Sequence, residues 1–327
     1  MAGAPPRPAI VTARCGVREW PAVGRADASP ASPRVLGAPD AFSFLACSGM
    51  PALPRFVPIH SRDNPQLKAW RRLAQDAQAY RKLGALWLEG EHLCSVVRDA
   101  GLPVQTVVLS QSRLAQPGWQ QWLPAAGSHA CVALDDTLFA QVSALESCAG
   151  LAYVLPWRGA GSVRASVPTV VLDRLQDAGN VGAILRSAAA FGFRQVVALQ
   201  GTAALWSPKV VRAGMGAHFS LQLVEQAPLQ ALDALQLPLL LTSSHAGAWL
   251  HEAPLPWPSA WVLGHEGQGV SPALAALPHQ AVRIAQPGGQ ESLNVATAAA
   301  ICLHANATQA LQQGLLQVDG GLHAPAF

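Results

Sequence analysis

The chain has 327 residues, of which 50% are hydrophobic and 13% are charged, with a formal net charge of +3. This length predicts two domains or one large one, and the apolar content excludes a largely disordered protein. Gly, Pro or charge breaks every apolar run before membrane-spanning length, so we expect no transmembrane helix and no membrane partner. Six scattered cysteines without a Cys-x-x-Cys pair predict reduced thiols in a cytoplasmic protein, not a disulfide or zinc framework.

The first 55 residues are rich in Ala, Pro, Arg and Ser and show no sustained hydrophobic period. We interpret residues 1–55 as a disordered extension without a secretory signal. Met50 stands just before the first organised segment, and the sequence is compatible with translation from Met1 or from Met50.

Residues 63–155 form the first predicted domain, a small α/β pattern. Apolar residues at helical spacing predict a helix over 66–83, and a second helix is predicted over 91–100. Strands are predicted at 85–88, 104–109, 132–134 and 151–155. Between Arg55 and Lys82, seven basic residues stand against two acidic ones, which suits either an RNA site or an ordinary solvated helix surface.

A glycine-rich linker at 157–164 precedes the second predicted domain, residues 167–315, where strands and helices alternate. Strands are predicted at 169–172, 195–199, 237–242, 260–263 and 281–284, and helices over 180–191 and 292–312. Buried apolar strands that alternate with helices predict an α/β fold with a parallel sheet covered on both faces.

Three segments of the second domain carry polar side chains where an apolar run turns through glycine. They are Leu172–Arg186, Trp261–Ser271 and Val282–Asn294. A strand that ends this way brings backbone amides and polar groups to the rim of a parallel sheet, where such sheets bind ligands. Taken singly, each segment also fits a capped helix, such as one capped by Asn180, or a plain glycine turn.

Together and in this order, the three segments resemble the SpoU (TrmH-like) family of RNA 2′-O-ribose methyltransferases. The resemblance rests on Asp177-Ala-Gly-Asn180 with Arg186, on Leu263-Gly-His-Glu-Gly-Gln-Gly269 and on Gly288-Gly-Gln-Glu-Ser-Leu-Asn294. The chain departs from the family pattern at Ala178, Gly214, His265 and Ala285-Gln286, where the family usually has Pro, Ser, Asn and Pro-Met. The stretch Leu83–Leu93 resembles the substrate-binding domain that often precedes such enzymes.

The resemblance implies a parallel-sheet catalytic domain with a deep C-terminal trefoil knot, behind a smaller RNA-binding α/β domain. It implies S-adenosyl-L-methionine as the cofactor, held by knot loops near 242–244, 263–269 and 284–294. It also implies a homodimer whose substrate is a structured RNA, either rRNA or tRNA, and the N-terminal domain favours rRNA.

The resemblance also implies a set of site residues. The catalytic residues would be Asn180, Arg186, Glu266, Ser292 and Asn294. The cofactor contacts would be Thr242, Ser243, Leu263, Gly264, Gly269, Ile284, Ser292 and Leu293. The RNA contacts would be Arg71, Arg72, Arg81, Lys82, Lys209 and Arg212. The ten histidines show no metal-ligand spacing, so no metal is expected.

Methyl transfer from a sulfonium needs alignment and charge stabilisation more than a protein nucleophile. A guanidinium stays protonated in proteins, so we expect Arg186 to stabilise a developing ribose oxyanion or hold a phosphate, and not to act as a base.

Two other functions compete with this reading of the sequence. The first is a non-catalytic RNA-binding or ribosome-assembly factor on the same fold. The second is a dinucleotide-dependent oxidoreductase, which needs Gly-x-Gly-x-x-Gly after its first strand. The glycines at 264–269 come late in the chain and lack that context, which disfavours the oxidoreductase.

Overall fold

The computed structural model describes residues 54–125, 129–243, 246–289 and 292–318. The predicted disordered extension and the alternative start at Met50 lie outside the described residues, apart from positions 54 and 55. The described chain forms two β-sheets, each with helices packed against it.

Five strands build the first sheet, and they are β1 (Val57–Ile59), β2 (Ala85–Glu89), β3 (Thr106–Ser110), β4 (Ala130–Leu134) and β5 (Leu151–Pro156). The helices of this part are α1 (Pro65–Gln75), α2 (Ala79–Leu83), α3 (Glu91–Asp99), α4 (Gln111–Leu114) and α5 (Asp136–Val142). The strand order is β1-β4-β3-β5-β2, and β5 runs antiparallel to both of its neighbours. Because β1 pairs with β4, this sheet begins before residue 63, the predicted lower bound of the first domain.

The single helix predicted over 66–83 is wrong, because the chain leaves the helix between α1 and α2. Asp76 has extended backbone at φ −93° and ψ 123°, and its Oδ1 accepts a hydrogen bond from the Gln78 amide at 2.9 Å. An aspartate that bonds the backbone two residues ahead competes with helical bonding. Leu67 and Tyr80 are buried on either side of the break, so the apolar spacing continues across it.

Seven strands build the second sheet, and they are β6 (Thr169–Leu172), β7 (Gln195–Leu199), β8 (Gln222–Ala227), β9 (Leu239–Thr242), β10 (Ala248–Trp249), β11 (Ala260–Leu263) and β12 (Gln280–Arg283). The helices are α6 (Ala178–Ala190), α7 (Pro208–Gly214), α8 (Pro272–Ala275) and α9 (Val295–Gln312). The order is β10-β12-β9-β11-β6-β7-β8, and every neighbouring pair is parallel. The predicted α/β fold with a parallel sheet is therefore confirmed, although β8, β10, α7 and α8 were not predicted.

Alternate residues of the second sheet enter two different cores, as the two-residue period of a strand requires. Val170, Leu172 and Trp261 belong to a core that continues into the first sheet, on the side of α6 and α9. Val171 and Val262 belong to a smaller core on the opposite face, which Leu274 of α8 also joins. Both faces of the parallel sheet are therefore covered.

Asn306 fixes α9 against the strand that leads into the glycine-rich segment. It is fully buried, and its Oδ1 accepts hydrogen bonds from Ser259 Oγ at 2.8 Å and Trp261 Nε1 at 2.9 Å. Its Nδ2 donates to the carbonyl of Pro256 at 3.2 Å. A buried amide with all of these bonds made is a strong constraint on where α9 lies.

A buried carboxylate joins the first sheet's helices to the second sheet. Glu225 of β8 accepts hydrogen bonds from the Tyr80 hydroxyl at 2.7 and 2.8 Å and from the Leu205 amide at 2.6 Å. Arg81 Nη2 lies 3.2 Å from the same carboxylate. Burial and the Glu225 charge raise the pKa of Tyr80, so its hydroxyl remains a donor.

None of the helices in the described ranges is long and apolar enough to cross a membrane. Cys94, Cys131, Cys148 and Cys302 are free thiols. Cys15 and Cys47 lie outside the described residues.

His218 explains why glycine stands at position 214. The ring is fully buried and its Nε2 lies 2.9 Å from the carbonyl oxygen of Leu205. A Cβ on Gly214 would lie 2.6 Å from His218 Cε1, so no side chain fits there without moving the ring. Complete burial lowers the pKa of His218 to about 4 from the ordinary 6.5.

We expect His218 to make the protein less stable in mild acid. Between pH 6.5 and about 4, the His218 ring is protonated in the unfolded chain but neutral in the native protein. The unfolding free energy should therefore fall as the pH falls, by up to about 1.4 kcal/mol per pH unit from this group. Urea unfolding at pH 7, 6 and 5 should show a flatter dependence for His218→Gln, which keeps a donor for Leu205. An identical slope in both proteins would contradict the assignment.

Candidate active site

Polar residues of the three sequence segments meet at one edge of the parallel sheet. The strands β6, β9, β11 and β12 all end there, because parallel strands place their carboxyl ends together. Asp173 follows β6 directly, and its amide donates to the Leu263 carbonyl at 2.9 Å. The first and second segments are thus joined at the point where both strands end.

A chain of hydrogen bonds links all three segments. Asn180 Nδ2 donates to Glu266 Oε1 at 3.3 Å, and Asn294 Nδ2 donates to Asn180 Oδ1 at 3.0 Å. The Asp177 amide also donates to Glu266 Oε1, at 3.4 Å. These pairs are separated by 86 to 114 residues in the chain, so only the tertiary fold brings them together.

The helix caps determine where these amide side chains lie. Asp177 caps α6 by accepting a hydrogen bond from the Asn180 amide at 2.7 Å, so the prediction that Asn180 is the cap is wrong. This cap starts α6 at Ala178, where the family usually has Pro. Asn294 caps α9 through Oδ1, which accepts from Ala296 and Thr297, so α9 begins at Val295 and not at the predicted residue 292.

The glycine-rich segment closes into a tight turn from His265 to Gly269. The two residues exchange backbone hydrogen bonds of 3.0 and 2.8 Å, and Gly269 has a positive φ of 66°. A Cβ on Gly264 would lie 2.2 Å from the Gly269 carbonyl carbon. His265 Nδ1 accepts from the Gly267 amide at 3.0 Å, which is the type of bond that an asparagine forms two residues ahead in a turn.

A cavity of about 370 Å³ opens beside this turn. Its walls include two predicted catalytic residues already in the hydrogen-bonded chain, Glu266 and Asn294. They also include most of the predicted cofactor contacts, namely Thr242, Ser243, Gly264, Gly269, Ile284, Ser292 and Leu293. Leu263 is fully buried and is not among the lining residues. A second cavity of about 630 Å³ shares Thr242, Ser243 and Ser292 with the first.

The wall of the first cavity combines a negative charge with an unsatisfied acceptor. Burial acts to raise the pKa of Glu266, but hydrogen bonds from its own amide, from the Asn180 side chain and from Asp177 outweigh burial and lower it. Glu266 is therefore anionic at neutral pH. Gln286 also lines the cavity, and its buried Oε1 has no hydrogen-bond partner among the residues described.

Asn180 does not line this cavity but belongs to the hydrogen-bonded chain, whereas Arg186 neither lines the cavity nor joins that chain. Arg186 is exposed on α6, six residues and about 9 Å along the helix from Asn180. Within residues 54–125, 129–243, 246–289 and 292–318 it has no hydrogen-bond or ion-pair partner. The single chain thus brings together Asn180, Glu266, Ser292 and Asn294 and leaves this guanidinium available to another molecule.

The predicted RNA contacts divide into engaged and unengaged side chains. Arg71 donates to Gln141 Oε1 at 2.9 Å, and Arg81 is paired with Glu225. Arg212 is half-buried and its charge acts on the nearby carboxyl of Glu89. The others are exposed and have no ion pair or hydrogen bond in the described structure, namely Arg72, Lys82 and Lys209.

Two residues of the site were missed in the sequence. Asp173 and Arg174 follow β6, and both hydrogen-bond to the second segment. A charged pair immediately after an apolar strand was the available signal, but nothing local to the pair shows which segment it contacts.

Gly264→Ala should distort the turn, and Gly267→Ala should not. The new Cβ at 264 would meet backbone at 2.2 Å, whereas at 267 the nearest atom is His265 Nδ1 at 3.9 Å. We expect Gly264→Ala to lower the unfolding temperature by several degrees, because overpacking costs about 1–3 kcal/mol. Thermal unfolding of both variants compares the same glycine-to-alanine change at the two positions. Equal unfolding temperatures would show that the turn is looser than its geometry indicates.

Comparisons with known proteins support the resemblance of the three segments to the SpoU family. The family model of the SpoU rRNA Methylase family matches residues 168–304. An uncharacterized tRNA/rRNA methyltransferase of Synechocystis is 32% identical over 263 residues, covering 75% of this chain and 92% of the relative. The 23S rRNA (guanosine(2553)-2′-O)-methyltransferase RlmP of Bacillus subtilis is 29% identical over 255 residues, covering 75% and 97%.

A solved structure shows that the similarity includes the fold. The SpoU methyltransferase AviRb from Streptomyces viridochromogenes, in complex with the cofactor AdoMet, superposes with a TM-score of 0.67. The match covers 76% of this chain and 98% of AviRb at 24% identity, a level at which the likeness concerns the fold alone. With the Synechocystis relative matched over nearly its whole length and the family model matched across all three segments, this chain belongs to the SpoU rRNA methylase family.

Proposed function

We propose that this protein is an RNA 2′-O-methyltransferase that uses S-adenosyl-L-methionine, with rRNA favoured over tRNA as the substrate. The observation that carries the proposal is the hydrogen-bonded chain Glu266–Asn180–Asn294 on the edge of the 370 Å³ cavity. The name of RlmP describes a 2′-O-methyltransferase of 23S rRNA, and family membership supports the same class of reaction here.

The cavity has features that fit the cofactor. Gly264 lets the turn close tightly beside the cavity, since a Cβ there would meet the Gly269 backbone. The orphaned Gln286 Oε1 can accept a hydrogen bond from an amine, and the cofactor carries two amino groups. The anionic Glu266 complements a positive charge. We assign cofactor binding to the lining set Thr242, Ser243, Gly264, Gly269, Ile284, Ser292 and Leu293.

The cofactor supplies a methyl group that its sulfonium already activates, so the protein's task is alignment and charge stabilisation. Asn180 and Asn294 hold Glu266 in place, and Ser292 contributes a hydroxyl to the same wall. Arg186 stabilises the ribose oxygen as the hydroxyl proton leaves. That proton passes to water or to a phosphate oxygen, because a guanidinium has no site to accept it.

We assign RNA binding to the first domain, predicted at 63–155, with β1 added at its start. Arg72 and Lys82 of this domain are exposed and unpaired in the described structure, as is Lys209 of α7 in the second domain, so we expect all three to contact phosphates. Arg71 and Arg81 already have intramolecular partners, so they contribute less to RNA affinity than the sequence suggested.

We propose that the catalytic domain, predicted at 167–315, contains the trefoil knot and forms a homodimer. The knot is supported by the convergence of the segments after β9, β11 and β12 on one cavity. The dimer is supported by exposed apolar side chains on and after α9, where Ile301 is 38%, Leu311 39% and Leu315 55% exposed. A second copy covering this surface would bring another chain close to α6, which packs against α9.

The proposal is tested by cofactor binding and by methyl transfer on the same preparation. Calorimetry should show that the folded protein binds S-adenosyl-L-methionine. Protein with a labelled cofactor should transfer the label to unmodified rRNA more than to tRNA, and mapping should place it on a ribose 2′-oxygen. Folded protein that binds RNA but no cofactor would instead support the non-catalytic RNA-binding alternative.

Arg186 should affect turnover without affecting cofactor affinity. Arg186→Ala should lower kcat about 100-fold, the usual effect of losing one donor to a developing oxyanion. Arg186→Lys should recover only part of it, since an ammonium lacks the two-pronged geometry of a guanidinium. The cofactor Kd should stay at the wild-type value because Arg186 does not line the cavity. The exposed Arg164 provides the control as Arg164→Lys. Full activity in Arg186→Lys would contradict this role.

A further inference from the structure

Asp173 and Arg174 lie between the end of β6 and the glycine-rich turn at His265–Gly269. Asp173 is 2% exposed, and its Oδ2 accepts a hydrogen bond from the Ser271 amide at 2.6 Å. Its Oδ1 lies 3.0 Å from Arg174 Nε, and Oδ2 lies 3.4 Å from Arg174 Nη2. The buried carboxylate is therefore paired with the neighbouring guanidinium while it holds the backbone just beyond the turn.

The guanidinium of Arg174 makes the second attachment, inside the turn. Its Nη1 donates to Gln268 Oε1 at 3.0 Å and its Nη2 donates to the Gly269 carbonyl at 3.4 Å. The same carbonyl closes the turn by accepting from the His265 amide. Asp173 and Arg174 thus contact this segment at three positions, which are Gln268 and Gly269 in the turn and the Ser271 amide just beyond it.

Arg174 adopts an unfavourable backbone conformation to make these contacts. Its φ is 59°, in the left-handed region that costs most non-glycine residues about 1 kcal/mol or more. The conformation is held by Thr202, whose Oγ1 accepts from the Arg174 amide at 3.1 Å and donates to the Leu172 carbonyl at 3.0 Å. Gly201 leaves space for the side chain, since a Cβ there would lie 3.2 Å from Arg174 Cγ.

We propose that Asp173 and Arg174 are positioning residues that hold the His265–Gly269 turn in the shape that binds the cofactor and presents Glu266 to Asn180. Neither residue lines the cavity, so both act through the turn. The inference rests on the proposed use of S-adenosyl-L-methionine. The turn supplies His265, Glu266 and Gly269 to the cavity wall, and Gly264 stands directly before it, so loosening the turn should weaken cofactor binding.

Three variants test the attachment. Arg174→Lys keeps the charge and loses the fork that bonds Asp173, Gln268 and Gly269 at once. Gln268→Ala removes an exposed side chain whose described hydrogen bond is to Arg174. Arg174→Gly removes the side chain at a φ that glycine adopts freely, so the backbone strain is relieved.

The matched control is Arg98→Lys. Arg98 pairs with the adjacent Asp99 and donates to the Gln121 carbonyl, which repeats the chemistry of Arg174 in the first sheet's part of the chain. It makes no contribution to either cavity near the turn. Its replacement should leave cofactor affinity unchanged.

Calorimetry with S-adenosyl-L-methionine and thermal unfolding are measured on the same preparations. We expect the cofactor Kd to rise about tenfold in Arg174→Lys and Arg174→Gly, because hydrogen bonds to a charged group are lost. It should rise about threefold in Gln268→Ala. Unfolding temperatures should stay within about 4 °C of wild type in Arg174→Lys and Gln268→Ala, and fall further in Arg174→Gly, which leaves the buried Asp173 carboxylate without its partner. In turnover assays the KM for the cofactor should rise more than kcat falls.

Two results overturn the proposal. One is wild-type affinity in both Arg174→Lys and Gln268→Ala. The other is a loss of affinity that appears only with a matching loss of thermal stability in all three variants, since that is a general structural effect. If wild-type protein binds no cofactor, the proposed function fails first, and that outcome is separate from either of these.

Discussion

The site depends on one side chain, Asn180, that gives and accepts a hydrogen bond between segments far apart in the chain. Its Nδ2 donates to Glu266 and its Oδ1 accepts from Asn294. An amide does both with fixed geometry, whereas a carboxylate only accepts and an ammonium only donates. The start of α6, the glycine-rich turn and the start of α9 therefore have to be placed correctly relative to each other before the cavity exists.

The parallel sheet was predicted from local patterns, whereas most of the cavity wall was predicted from the resemblance of the three segments to the SpoU family. Apolar runs that end in glycine mark strands whose polar continuations meet at one edge. Local patterns were insufficient where a competing side chain decided the outcome. Asp76 interrupts a helix whose apolar spacing is unbroken, and Asp177, not Asn180, caps α6. The contacts of Asp173 and Arg174 with the turn depend on the pairing of β6 with β11. These strands are far apart in the chain, so a short stretch of sequence does not predict that pairing.

Three of the departures from the family pattern, at His265, Gly214 and Gln286, have local explanations in this chain. His265 forms the side-chain-to-backbone bond that an asparagine forms at the same place in a turn. Gly214 has no side chain because the buried ring of His218 occupies the space. Gln286 brings to the cavity an acceptor that a methionine lacks. The changes at His265 and Gly214 preserve the shape of the backbone, and the change at Gln286 alters the chemistry of the cavity wall.

The carboxylate of Glu225 limits how freely the two halves of this protein can be exchanged between relatives. Three of the hydrogen bonds to Glu225 come from Tyr80 and Arg81 in the N-terminal half. From the half that contains Glu225, the Leu205 amide donates one hydrogen bond. A chimaera that keeps β8 but takes its N-terminal half from another source would strand a desolvated anion, at a cost of several kcal/mol. A chimaera of two relatives should therefore fold stably only when Tyr80, Arg81 and Glu225 are all retained, or when all three are replaced by apolar residues.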